Sequence, residues 1–130
     1  MSVNENIQLP DDRRYTAEHT WAKPDEGYFL IGISDYAQDQ LNGVMFVDLP
    51  EPGKRFVAGE IFGCVESVKS VNDLFMPLSG VVVATNDALA DTPTLVNSSP
   101  YTEGWMVCMQ ADKQGEFQTL LSAEEYRKLL

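Results

Sequence analysis

Positive charge is scarce in this chain: nine lysines and arginines face twenty aspartates and glutamates over 130 residues, for a formal net charge of −11. That sign is wrong for a sequence-independent grip on a phosphate backbone, which depends on cations that release counterions, and no nucleic-acid partner is expected. An acidic surface instead speeds encounter with basic protein surfaces more than it tightens the complexes, which suits a monomer that meets several transient partners. Histidine occurs once, at His19, and cysteine twice, at Cys64 and Cys108, with no Cys-x-x-Cys spacing, so a metal site is not expected. No window approaches the roughly 20 apolar residues that cross a bilayer. The N-terminal MSVNENIQLPDDRR lacks the basic start and apolar core of a signal peptide, so a cytoplasmic protein without membrane association is expected.

A chain of this length buries about two-thirds of its unfolded surface. One domain over 1–130 is therefore the expectation, with 1–13 as a loosely ordered N-terminal segment. After that polar start, Tyr28 to Ile33 is short, aromatic and β-branched, as a buried strand is. Ser34 is a good N-cap for a short helix from Asp35 to Leu41, and Asn42-Gly43 offers a left-handed cap at its end. Val44 to Leu49 forms a second strand, stopped by Pro50 and the Pro52-Gly53 turn. Further strands are expected near Ile61–Val65, Leu74–Met76, Val81–Thr85 and Trp105–Gln110, at the turn spacing of an all-β barrel or sandwich. Asp91 to Val96 suggests one helical turn ended by Asn97. Ser122-Ala-Glu-Glu125 is a capping box that opens a C-terminal helix, with Leu121 and Tyr126 spaced as a hydrophobic staple. The two cysteines lie in the apolar runs IFGCV and WMVCM, where small buried strand residues are the simpler reading and a redox pair the alternative.

If Ile61–Val65 pairs with Leu74–Met76, their hairpin turns near Val68-Lys69-Ser70 and presents Lys69 to water. An exposed ammonium is protonated at neutral pH, and so is a poor nucleophile or base. An amine that protrudes from a rigid turn, however, is what a modifying enzyme needs, and acylation would also remove the charge. No nucleophile, base and oxyanion group can be assembled from these residues, so a carrier without catalytic activity of its own is expected.

Around this lysine the sequence resembles the H-protein family of the glycine cleavage system. The matching stretches are Tyr15 to Trp21 (YTAEHTW), Gly32 to Gln38 (GISDYAQ), Phe46 to Gly53 (FVDLPEPG), Gly63 to Lys69 (GCVESVK), Asn86 to Leu89 (NDAL) and Leu95 to Trp105 (LVNSSPYTEGW). The resemblance implies a mainly β, lipoyl-domain-like barrel-sandwich hybrid of two antiparallel sheets, with short helices and a C-terminal helix. It implies lipoate joined through an amide to Lys69 by a lipoate ligase or lipoyltransferase, with Glu66, Ser67 and Val68 as the recognition frame. The arm of such a carrier takes an aminomethyl group between glycine decarboxylase, aminomethyltransferase and dihydrolipoyl dehydrogenase.

The resemblance further implies that Asp73 docks the arm, and that His19 and the residue after it line the surface near it. Two positions depart from the family pattern: Thr20 stands where a glutamate is usual, and Asn42-Gly43 where Gly-Asp is usual. Both remove an acid, and a carboxylate at position 20 would hold an aminomethyl ammonium beside the arm. The departures keep open an H-protein-like lipoate-binding protein that carries sulfur for a heterodisulfide-reductase-like complex. A third reading, an unmodified acidic adaptor, sits poorly with the intact Glu66-Ser67-Val68-Lys69.

Overall fold

The computed structural model describes residues 6–130. Its strands in chain order are β1 (Arg14–Tyr15), β2 (Thr20–Asp25), β3 (Tyr28–Ile33), β4 (Val44–Asp48), β5 (Arg55–Phe56), β6 (Ile61–Ser67), β7 (Val71–Phe75), β8 (Gly80–Thr85) and β9 (Val107–Ala111). Helices α1 (Asp35–Leu41), α2 (Ala88–Asp91), α3 (Leu95–Ser98) and α4 (Ala123–Arg127) are short, and a 3-10 helix spans Gln114–Thr119. Two sheets form, one of six strands in the order β1-β2-β3-β9-β8-β5 and one of three in the order β4-β6-β7. Every pairing is antiparallel. The architecture is the expected mainly β sandwich with short helical additions.

Alternation along the strands sets the core. Ile31, Val82, Val107 and Met109 of the large sheet meet Val65 and Leu74 of the small one, all buried, each worth about 1.5–3 kcal/mol when removed from water. The same alternation corrects the expectation for the cysteines. Val65 turns inward, as do Val107 and Met109, so neighbouring Cys64 and Cys108 point to the opposite faces of their strands. Both are half-buried free thiols rather than buried ones.

Local signals hold at the helices. The Ser34 hydroxyl accepts from Ala37 N–H at 3.2 Å, and Asn42 takes the left-handed φ of 64° that ends α1. The Ser122–Glu125 capping box forms at α4, with Leu121 packed on the cluster that holds Tyr126.

The structure adds to the sequence reading in three places. The single helical turn over 91–96 is instead two, α2 and α3, on either side of Pro93. The segment before Tyr28 holds β1 and β2, with Tyr15, Trp21 and Ala22 fully buried. Of the loose segment expected over 1–13, residues 1–5 lie outside the described residues and the remainder is pinned. Ile7 is buried and its carbonyl accepts from Arg127, and Gln8 N–H donates to Asp35 at 2.8 Å. The Arg13 guanidinium sits 4.6 Å from the Trp21 ring and 4.9 Å from that of Tyr101.

Candidate functional site

Strands β6 and β7 pair Cys64 with Asp73, Val65 with Asn72 and Glu66 with Val71. That register leaves Val68-Lys69-Ser70 as the connection, where the sequence places it. Ser67 N–H donates to the Ser70 carbonyl at 2.9 Å, and the Ser67 hydroxyl accepts from the backbone nitrogens of Lys69 and Ser70, both at 3.3 Å. The Ser70 hydroxyl in turn accepts from the Asn72 amide at 2.8 Å. The turn is therefore held by its own serines, while Val68 is 78% exposed and Lys69 is exposed beside it. Lower down, β4 approaches so closely that a Cβ on Gly63 would lie 2.1 Å from the Asp48 carbonyl oxygen. Glycine at that position lets the three strands seat the hairpin.

Strand β7 is an edge of the small sheet, and its flank forms one wall of a cavity of about 470 Å³. The facing walls come from Glu18 and His19 and from α1 through Ala37, Gln40 and Leu41. Val71, two residues beyond Lys69, already lines it, with Asn72 and Asp73 next along the strand. The hairpin tip thus opens onto a cleft with an apolar floor, including Ile33, Val65 and Leu74, and two carboxylates at its walls.

His19 holds a left-handed φ of 73°, and its Nδ1 lies 2.6 Å from the Tyr126 hydroxyl. Burial pushes its imidazole below the usual histidine range, with Glu18 opposing. Asp73 and His19 are brought together on the walls of this cavity. Thr20 is not: it is 1% exposed, its hydroxyl pairs with that of Thr16 at 2.8 Å, and it stays off the cavity wall. Position 20 pairs across the strands with Ile33, and its side chain lies on that residue's face of the sheet. Glu66 also lies off the cavity. It sits on the central strand of the small sheet, opposite Phe46 on one side and Val71 on the other, and only Val71, on the edge strand, reaches the cavity.

Sequence reasoning missed Glu18, Gln40, Asn72 and Tyr126. Glu18 adjoins the flagged histidine, which is a signal of a kind, but no local pattern links Tyr126 to a partner 107 positions away.

The arrangement fits lipoate. Among the described residues no side chain pairs with the Lys69 amine, the turn that carries it is braced, and the adjoining cavity falls in the size range of small-molecule sites. Apolar walls suit a hydrocarbon arm, and Glu18 and Asp73 suit a cationic cargo.

Comparison with known proteins agrees. Residues 13–130 match the glycine cleavage H-protein family. The glycine cleavage system H protein of Listeria monocytogenes serotype 4b (strain CLIP80459) is 46% identical over 124 residues, covering 95% of this chain and 99% of that protein. A probable glycine cleavage system H protein of Natronomonas pharaonis is 46% identical over 121 residues, covering 93% and 95%. The crystal structure of a glycine cleavage system H protein from Mycobacterium marinum superposes with a TM-score of 0.85 at 39% identity, covering 92% of this chain and 97% of that one. The sulfur-carrying alternative finds no support among these relatives. The chain belongs to the glycine cleavage H-protein family, whose members carry lipoate on a lysine and serve glycine cleavage as lipoyl carriers.

Proposed function

We propose that Lys69 is the lipoylated residue and that the adjoining cavity is the berth into which the loaded arm folds. The observation that carries this reading is a lysine without a side-chain partner among the described residues, on a serine-braced turn two residues from the cavity wall. Glu66, Ser67 and Val68 form the frame met by the attaching lipoate ligase or lipoyltransferase. Asp73 and His19, with Glu18, line the berth. Lipoate supplies the thiol–disulfide chemistry when attached. The chain's own residues position the arm, shield it from water and place carboxylates near a cationic cargo.

The family works with glycine decarboxylase, aminomethyltransferase and dihydrolipoyl dehydrogenase. We assign this chain the same three partners, as a monomeric carrier of one domain without catalysis of its own. Among the described residues no helix is long and apolar enough to cross a membrane, and a cytoplasmic setting is the matching proposal. The test is reconstitution with the three enzymes. Lys69→Arg keeps the charge but offers no amine for the lipoyl amide, so it should abolish glycine cleavage while leaving the fold intact. Activity retained in Lys69→Arg would overturn the assignment.

A further inference from the structure

A chain of hydroxyls runs from α1 through α4 to the single histidine, and counting its protons fixes their direction. Ser34 is fully buried. Its Oγ accepts from Ala37 N–H and lies 2.8 Å from the Tyr126 hydroxyl. Buried hydroxyl protons need acceptors, and among the described residues the acceptor in reach of this one is the phenol oxygen of Tyr126. The phenol has one proton of its own to give, and 2.6 Å away stands Nδ1 of His19. Nδ1 is then an acceptor, and a neutral imidazole with Nδ1 bare carries its proton on Nε2.

We propose that Tyr126 is a positioning residue that locks His19 as the Nε2–H tautomer, so that this wall of the cavity offers a hydrogen-bond donor rather than a base. Burial keeps the Tyr126 phenol protonated and His19 neutral, in keeping with that order. The two carboxylates at the walls, Glu18 and Asp73, are acceptors only. His19 thus supplies the complementary contact, to an acceptor atom of whatever lies in the cavity. That this is the lipoyl arm rests on the function proposed above. The C-terminal helix, remote in sequence from the hairpin, is in this way part of the site.

The test is nitrogen NMR on the full chain labelled at histidine, where one histidine gives one set of ring signals. Above neutral pH the wild type should show Nδ1 unprotonated and Nε2 protonated. Tyr126→Phe keeps the ring that stacks on Tyr15 at 4.8 Å but removes the hydroxyl. The tautomer ratio should then fall roughly two- to tenfold, the equivalent of one ordinary hydrogen bond, and the histidine should titrate at higher pH. A proton on Nδ1 in the wild type, or an unchanged ratio in Tyr126→Phe, would overturn the lock. If Tyr126→Phe does not fold, the wild-type spectrum decides alone. A lipoylated chain should show a displaced Nε2–H signal. Signals identical to those of the unmodified chain would overturn the berth while leaving the tautomer assignment standing.

Discussion

The backbone nitrogen of Lys69 lies 3.3 Å from the Ser67 hydroxyl, so the residue that ends β6 also holds the turn that carries the lysine. A second bond of the same length runs from Ser70 to that hydroxyl. Both are long for hydrogen bonds, so Ser67→Ala should cost about 1 kcal/mol. Local order should suffer more than global stability: the amides of Lys69 and Ser70 should exchange faster with solvent, and lipoate attachment should slow. Unchanged exchange at these two amides would show that the turn is braced elsewhere.

Glu18 and Asp73 are the carboxylates at the cavity walls. A charge-assisted hydrogen bond contributes about 1.5–3 kcal/mol, or roughly ten- to a hundredfold in an equilibrium. Glu18→Gln and Asp73→Asn should each shorten the lifetime of an aminomethyl cargo by about that range, read by mass spectrometry. Thr20→Glu should lengthen it by less than tenfold, because Glu18 already supplies an acid and Thr20 faces Thr16. A large gain in Thr20→Glu would show that position 20 reaches the arm after all.

The parts of this site that are local were legible in the sequence. Val68-Lys69-Ser70 follows from two strand-forming runs with a turn between them, and the caps at Ser34 and Ser122 follow from residue type and spacing. Strand β2 was not legible, because Lys23-Pro24-Asp25 interrupts its apolar start. Pro24 is tolerated at the far end of that hairpin, opposite Phe29. The cavity was not legible either: His19, α1 and β7 meet only through the closure of the two sheets. Nor was the pairing of Thr20 with Thr16 legible, across the turn in which His19 takes a positive φ.

Burial, reinforced by Asp48, Glu66 and Asp73, pushes the Cys64 thiol up, and burial with Asp25 does the same for Cys108. The thiolate is the nucleophile, so both should alkylate slowly at neutral pH, faster as pH rises, and quickly once the chain unfolds. They lie in different sheets, and non-reducing mass spectrometry should find no bond between them. Rapid native labelling or a disulfide would favour the redox pair instead.

His19 binds a proton less readily in the fold than at its ordinary value of 6.5, chiefly because it is buried. The unfolded chain therefore takes up more protons as pH falls through that value, and stability that is fully present above it declines below it. His19→Asn removes the titration and keeps a residue that tolerates the left-handed backbone. The stability difference between wild type and His19→Asn should shift against the wild type as pH drops from above neutrality to below 6.5. A difference that stays constant across that span would mean that His19 is as free to protonate as in the unfolded chain.

The central claim is that Lys69 alone carries the lipoyl group, and intact mass spectrometry after treatment with a lipoate ligase tests it most directly. The wild type should gain one lipoyl adduct, and Lys69→Ala should gain none while keeping the wild-type fold. An adduct that persists in Lys69→Ala, or a second one on the wild type, would contradict it.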